Sequence, residues 1–387
     1  MIDSNKCIGC QACVELCPTS AISFRYDQWG TGRAFITEEK CIGCNKCQRI
    51  CPAEIQQMNP ATDIVYAAIS KMHRSTGSSG GFFYELASMF LEIGGIVYGA
   101  AFDENLRLVH SRVDSIKDLL PLCKSKYIHS DMKGVFQQLD NDLKNGKNVL
   151  FVGTPCQAGA VKNTFANRYD ENLTIVDFLC HGTAPQKLFD LCIHAEEKKK
   201  RGTITDFQFR AKSRKAEHSF TYTLRKNDRD HVVSGYHFEF PFYYSYLKYT
   251  VFNDACYFCP YAKETRVGDI TLGDFWKIQN YNPKLHDQSG VSMLSINSQK
   301  GNALLGKLKD KLDLSEYPLN VARQNNQSFR EPKPYPPQKR KLEQILIQQG
   351  EEELVKELIC PHLTKHLIYA RTPSWVKHMY QKIRGKS

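Results

Sequence analysis

Eight of the fifteen cysteines in this chain form two copies of one run. Cys7-x2-Cys10-x2-Cys13-x3-Cys17-Pro18 is followed 34 residues later by Cys41-x2-Cys44-x2-Cys47-x3-Cys51-Pro52. Three thiols within one short loop, then a fourth ahead of a proline, is the spacing that wraps [4Fe–4S] clusters, and the fourth cysteine of each run reaches the other cluster. The spacing assigns Cys7, Cys10, Cys13 and Cys51 to one cluster and Cys41, Cys44, Cys47 and Cys17 to the second. Zinc sites use two separated cysteine pairs instead. The chemistry implied is one-electron transfer.

Seven cysteines remain: Cys123, Cys156, Cys180, Cys192, Cys256, Cys259 and Cys360. Residues 146–153 and 173–179 read as buried strands separated by a helical stretch, a parallel βαβ unit. Cys156 and Cys180 then stand at the carboxyl ends of adjacent strands, where open α/β sheets bind their ligands. The pair Cys256-x2-Cys259 follows. Four thiolates from three loops meeting at one sheet edge would make a closed, all-cysteine site for a third cluster. Structural zinc, a redox disulfide and unliganded thiols are the alternatives. Cys192 and Cys360 lie in helix-like patterns and read as packing residues. Cys123 has no partner at ligand spacing. His181, in a tight turn after Cys180, reads as a structural histidine or as a proton donor beside a flavin.

A second loop could bind an anion. Residues 71–81 end in Ser78-Ser79-Gly80-Gly81 and lead into a helix pattern at 82–91, with Arg74 nearby. Glycines and hydroxyls ahead of a helix offer free N–H groups and a positive dipole end to a phosphate, such as a flavin pyrophosphate. An ordinary capped loop has the same appearance. No G-x-G-x-x-G follows a strand here, so a Rossmann dinucleotide site is not indicated.

The elements that position these groups can be read around them. The two cysteine runs align over Ile2–Cys10 and Ile36–Cys44, an internal repeat that implies a pseudo-two-fold module over residues 1–60. Between the runs, 21–24 and 34–37 read as short strands with Asp27, Gly30 and Gly32 in the turn. So small a module cannot bury much core, so its clusters should hold it folded. Residues 203–240 alternate as strands, and the aromatic crowd at 236–258 reads as core. A Pro-rich linker at 331–337 precedes helix patterns at 338–348 and 350–359.

Beyond these readings the chain resembles the beta-subunit family of coenzyme F420 hydrogenase/dehydrogenase, in its bacterial branch with an N-terminal two-cluster ferredoxin. The resemblance rests on Ser78-Ser79-Gly80-Gly81-Phe82, Ser125-Lys126-Tyr127, Gly153-Thr154-Pro155-Cys156-Gln157, Cys180-His181-Gly182, Phe209-Arg210-x-Lys212, Cys256-x2-Cys259, Asp269–Trp276 and Gly290-Val291-Ser292. It implies FAD held by Ser78, Ser79, Gly80 and Gly81 with Arg74 and Lys126 close by, and an additional iron–sulfur site. Two positions depart from the family's pattern. Asn253-Asp254-Ala255 stands where a base is expected ahead of Cys256, and Lys277 stands where a glycine often follows Trp276. Relatives of this branch often accompany surface-glycan genes.

The bulk numbers are those of a globular protein of 387 residues, 42% hydrophobic and 24% charged. The expected fold is mixed α/β: the ferredoxin module at 1–60, then a flavin domain with a partly parallel sheet, in two parts at 61–145 and 146–320. A linker, helices and a basic tail should fill 321–387. The ferredoxin-type thiols need a reducing compartment, and the N-terminus carries neither the basic nor the apolar region of a secretory signal, so a cytoplasmic location is expected. Net charge is +11. The excess sits in Lys198-Lys199-Lys200-Arg201, in Lys339-Arg340-Lys341 and in a tail holding Arg371, Lys377, Lys382, Arg384 and Lys386. Solvated surface is the simplest reading of such runs; docking to an acidic partner or an anionic membrane is the other. Nucleic acid is not expected, since no recognition motif accompanies the charge. The expected function is an iron–sulfur flavoprotein oxidoreductase, exchanging electrons with a partner protein or a small redox substrate. An electron-transfer subunit without a substrate of its own and a scaffold in a biosynthetic complex are the other readings.

Overall fold

A computed structural model describes residues 6–212, 218–285 and 289–372. The repeat seen in the sequence is repeated in the backbone. Gly9 and Gly43 have φ of 74° and 67°, and Gln11 and Asn45 have φ of 62° and 55°. Each pair lies 34 residues apart, so the same left-handed turns carry the chain around each set of three thiols. Short helices follow at Ala12–Glu15 and Lys46–Arg49. Between them, β1 (Ile22–Tyr26) and β2 (Gly32–Ile36) form an antiparallel hairpin. Its turn is closed by Asp27, whose carboxylate accepts the Thr31 N–H at 2.9 Å, and by Gly30 at φ 90°. Gly32 lies within β2 rather than in the turn, where the Phe24 ring leaves no room for a side chain.

The body is built on one eight-stranded sheet. In chain order its strands are β3 (Ile64–Ser70), β4 (Ile96–Phe102), β5 (Leu108–Val113), β6 (Val149–Gly153) and β7 (Leu173–Phe178), and later β11 (Ile270–Asp274), β12 (Ser292–Ile296) and β13 (Leu312–Pro318). The spatial order is β13-β3-β12-β11-β7-β6-β4-β5. β11, β7, β6 and β4 run parallel at the centre, and the outer strands are antiparallel. The fold is therefore mixed α/β with a partly parallel sheet. Strands from both 61–145 and 146–320 enter it: β3 lies between β13 and β12, and β4 pairs with β6.

Alternation along the central strands sorts side chains to two faces. Ile96, Tyr98, Val149, Phe151, Leu173 and Ile175 pack with the helix Val135–Lys144 on one side. Val97, Leu150, Val176, Ile270 and Leu294 pack with the helices Phe82–Glu92 and Gln299–Leu308 on the other. A separate aromatic core joins the helix Gln186–Lys200 to a small antiparallel sheet of β8 (Thr203–Phe209), β9 (Ser219–Lys226) and β10 (Arg229–Tyr236). Phe240, Phe242, Tyr243, Tyr246, Phe252 and Tyr257 enter it, so most of the aromatic crowd is core, whereas Phe258 is exposed. The C-terminal helices Pro337–Gln349 and Glu351–Glu357 close it with Leu342, Ile345, Leu346 and Leu354. No described helix is long and apolar enough to cross a membrane. Of the basic tail, Lys377, Lys382, Arg384 and Lys386 lie outside the described residues, as do Trp375 and Tyr380.

The ferredoxin module is held to this body by polar contacts at its ends. The Glu15 carboxylate accepts the Gly134 N–H and, at 3.0 Å, the Phe136 N–H at the start of the helix Val135–Lys144. Gln11 donates to Asp131 at 2.6 Å, and the Asn59 amide donates to Val267 and Gly268 carbonyls. The bonds to the Glu15 and Asp131 carboxylates are worth about 1.5–3 kcal/mol each. Glu15→Ala is expected to weaken the docking by about 2 kcal/mol. Hydrogen exchange at the Gly134 and Phe136 amides should quicken while the sheet stays protected. Unchanged exchange there would count against this anchor.

Candidate iron–sulfur and flavin site

Within the ferredoxin module the structure brings Cys7, Cys10, Cys13 and Cys51 together. Burial first, then the neighbouring thiols of Cys13, Cys7 and Cys51, raise Cys10. Burial, then the thiols of Cys7, Cys51 and Cys47, push Cys13 up to about 12. Cys47 has Cys44 and Cys41 as neighbours, and Cys17 packs with Cys47 against the same small core. The Cys17 sulfur accepts the Ala21 N–H at 3.3 Å. Crowded, dehydrated thiols resist ionising alone; iron supplies the positive charge that makes them thiolates. The donor set thus fits clusters. The two sets differ in setting, since Cys10 and Cys13 are buried whereas Cys41 and Cys44 are exposed.

A second gathering of thiols lies in the body. The sequence Thr154-Pro155-Cys156-Gln157 turns β6 into a helix through local chemistry alone. The Thr154 side chain accepts the Gln157 N–H, the Gln157 side chain accepts back from Thr154, and Pro155 fits the first helical position. This sets Cys156 in the first turn of the helix Pro155–Val161. Cys180 follows the end of β7, the strand next to β6. Cys256 and Cys259 come from the loop before β11. Cys180 has Cys256, Cys156 and Cys259 as electrostatic neighbours, and Cys156 has Cys259 and Cys256. Burial, then this crowding, pushes Cys156 up to about 12 and Cys256 to about 11. The Cys256 sulfur accepts the Thr183 N–H at 3.4 Å, and Thr154 Oγ1 lies 3.1 Å from the Cys156 sulfur. Among the described residues no three donors close on one point in the manner of a single metal ion. The other cysteines stand apart: Cys192 and Cys123 are buried, and Cys360 is buried just past the helix Glu351–Glu357 rather than in it.

One side chain stands between the two gatherings. Tyr261 is buried and has Cys156, Cys10, Cys259 and Cys51 around it. Its hydroxyl donates to the Pro52 carbonyl at 2.7 Å, directly after the Cys51 ligand position. Its backbone carbonyl accepts from Arg266, which also pairs with the fully buried Asp177 at 3.0 Å. That ion pair fixes the loop after Cys259 against β7.

The Ser78–Gly81 loop lies beside a cluster of basic side chains. Arg74 donates to the Gly290 carbonyl at 2.8 Å, and Lys212 donates to the Gly77 and Ser289 carbonyls at 3.2 and 2.5 Å. Lys212 has Arg210, Arg74 and Lys124 as like-charged neighbours, against the single carboxylate of Asp274. Burial, then these bases, brings Lys212 down to about 8. Burial brings Lys126 down to about 7; its ammonium donates to the Cys123 carbonyl at 2.6 Å. Ser78 accepts the Ser125 N–H at 2.8 Å, tying the two segments together. The Ser79 hydroxyl is buried and has no hydrogen-bond partner among the described residues. Excess positive charge and an unsatisfied hydroxyl fit the phosphates of a flavin. Gly80 has a different reason to be glycine: a Cβ there would meet the Ala68 carbonyl of β3 and, at 2.7 Å, the Ser292 nitrogen of β12. The close approach is to the protein's own strands.

Aromatic residues connect this cluster to the buried thiols. Tyr127 stacks on Tyr246 at 4.3 Å, and Tyr246 borders Cys180 and Cys256. Arg210 pairs with Asp274 and lies 5.4 Å from the Trp276 ring. His181 is held by Ser328 at 3.0 Å, and burial lowers it to about 4. Lys277 takes φ of 57°, the left-handed region a glycine adopts freely. Sequence reading misses Tyr261, Arg266 and Lys339. Lys339 sits in a run that reads as solvated charge, yet it is fully buried beside Asp254 and Glu343. By contrast Lys198 and Lys199 are solvent-exposed, as such runs usually are.

The fold and the thiol sets define an iron–sulfur protein of the electron-transferring oxidoreductase class. Residues 6–55 match the family described as the 4Fe-4S dicluster domain. Residues 146–320 match the family described as the C terminus of the coenzyme F420 hydrogenase/dehydrogenase beta subunit. A chain in the structure of the F420-reducing [NiFe] hydrogenase complex from Methanosarcina barkeri is similar at 15% identity and a TM-score of 0.45. The likeness covers 79% of this chain and 92% of that one. No curated protein matches the chain.

Because the space at Gly80 is closed by backbone, Gly80→Ala is expected to cost about 2–3 kcal/mol by overpacking. A thermal melt should show the loss even in flavin-free protein. An unchanged melting temperature would mean the loop stands off the sheet and is free to cradle phosphate at Gly80.

Proposed function

We propose that this chain is an iron–sulfur flavoprotein oxidoreductase with three [4Fe–4S] clusters and one FAD. The observation that carries the reading is the meeting of Cys156, Cys180, Cys256 and Cys259 between the ferredoxin module and the basic side chains around Ser78–Gly81. In this reading Cys7, Cys10, Cys13 and Cys51 hold the inner ferredoxin cluster, and Cys41, Cys44, Cys47 and Cys17 the outer one. Tyr261 packs between the inner cluster's ligands and the third set. Arg74, Lys126, Lys212 and the Ser78–Ser79 hydroxyls would hold the flavin phosphates, with Tyr127 toward the thiols. A bound flavin supplies the pairing of single electrons that a two-electron substrate requires. Redox-inert zinc in the third set would interrupt the path.

Iron analysis tests the third set. The chain, prepared without oxygen, should carry about twelve irons, and Cys256→Ala about eight with both ferredoxin signals kept. About eight in the unaltered chain would end this reading.

The flavin assignment has its own test, through Lys126. The groups facing that ammonium are Cys123, Lys124 and His110, and none is a carboxylate. With a folded value near 7 against about 10.4 unfolded, Lys126 is neutral above pH 7 in flavin-free protein. A phosphate favours its charged form, so FAD binding takes up a proton above that pH. Affinity for FAD, titrated into flavin-stripped protein, should be flat below pH 7. Above it, affinity should fall by up to about tenfold per unit. Lys126→Met should bind more weakly and lose the slope between pH 7 and 8, keeping only the fall that Lys212 gives above about 8; a slope between pH 7 and 8 that survives would place the phosphates elsewhere.

A second reading is favoured by the outer end of the module. Cys41 and Cys44 are exposed and Ile42 is 66% exposed between them. An accessible cluster suits a protein partner, and the chain would then serve as an electron-transfer subunit, with a surface-polysaccharide system as one setting. Turnover of the isolated chain with dithionite and an acceptor separates the two readings.

A further inference from the structure

We propose that Lys339 sets the reduction potential of the cluster held by Cys156, Cys180, Cys256 and Cys259, and that it locks the ferredoxin hairpin over that cluster's ligand loop. The inference rests on the third-cluster reading above.

Lys339 belongs to the helix Pro337–Gln349 and has no exposed side-chain surface. A buried ammonium is retained only where partners offset its lost hydration. Its partners come from three elements. It donates to the Phe252 carbonyl at 2.8 Å and pairs with Asp254 at 2.9 Å, both just ahead of Cys256. It pairs with Glu343 of its own helix at 3.2 Å. Its ammonium lies 4.9 Å from the Trp29 ring in the turn between β1 and β2, and 5.6 Å from the Tyr257 ring. The second oxygen of Asp254 accepts from Arg33 of β2 at 2.9 Å. One carboxylate, two residues before a ligand, is thus held by a cation from the ferredoxin hairpin and a cation from the C-terminal helix.

That arrangement has an electrostatic consequence. Lys339 is among the groups acting on Cys256, and its charge favours the thiolate. A cluster ligated by four thiolates carries net negative charge, and reduction adds one more. A buried cation beside it favours the reduced form and raises the potential. Removing Lys339 also leaves Glu343 without its cation and Asp254 with Arg33 alone, which lowers the potential further. Neutralising Glu343 does the reverse, since it removes a negative charge while keeping the ammonium.

The test is a redox titration of the full chain, following each reduced cluster by electron paramagnetic resonance, with iron counted in the same samples. Lys339→Met should lower one midpoint by about 59 mV or more, a tenfold change in the ratio of oxidised to reduced cluster. Lys339→Arg should restore it, and Glu343→Gln should raise it. Opposite shifts from Lys339→Met and Glu343→Gln are not what a loosened structure would produce. If Lys339→Met does not fold, Glu343→Gln decides alone: an upward shift supports the proposal and no shift overturns it. About twelve irons with unmoved midpoints would overturn it while leaving the third cluster in place. About eight irons in the unaltered chain would remove the third cluster and this role together.

Discussion

The constraint that organises this protein is the cost of bringing thiols together out of water. Cys10, Cys13, Cys156, Cys180 and Cys256 are all raised, by burial first and by one another next. An isolated thiol in such a place stays protonated and binds nothing. A metal centre at such thiols supplies the counter-charge, and where one binds, ligand binding and folding are one process. The remaining architecture serves that condition. Left-handed turns at Gly9, Gln11, Gly43 and Asn45 bring three sulfurs into one loop, and the parallel pairing of β6 with β7 brings two more to one sheet edge. Backbone N–H groups of Ala21 and Thr183 then point at sulfur.

What the sequence discloses here follows sequence distance. The cysteine runs, the hairpin, the capping box at Thr154 and the βαβ unit are local patterns, and local chemistry decides them. Cys156 and Cys180 can be placed at neighbouring strand ends because one helix separates them. Tyr261 cannot be placed, because its meaning comes from Pro52, a partner 209 residues away. Gly80 is legible as a glycine that something approaches closely, but not as one approached by β3 and β12, since that needs the sheet order. Gly32 reads as a turn residue by its type, and the Phe24 ring across the hairpin is the actual reason for it.

Charge shows the same division more sharply. Lys198 and Lys339 both sit in short basic runs, and composition treats them alike. The first ends a helix in water. The second is enclosed because its helix packs Leu342, Ile345 and Leu346 into the aromatic core, which turns Lys339 inward onto the loop of Cys256. The segment ahead of Cys256 contains no base, and the cation beside that thiol comes from a distant helix. The C-terminal region is therefore packed onto the loop of Cys256 rather than appended to the fold.

The same desolvation reassigns the site's proton chemistry. His181 looks like the natural acid, being a histidine beside a ligand cysteine. Burial holds it near 4, and holds His218 near 4 as well, with Arg210 adding to the effect on both. Both rings are neutral at neutral pH, and protonating either would place a second charge beside a guanidinium. The lysines move the other way along the scale, from above 10 toward neutrality, with Lys126 near 7 and Lys212 near 8. A group exchanges protons most readily when its value lies near the ambient pH. In this site that condition falls to the two lysines at the Ser78–Gly81 loop, and the histidines are left to hold shape through Ser328 and Tyr243.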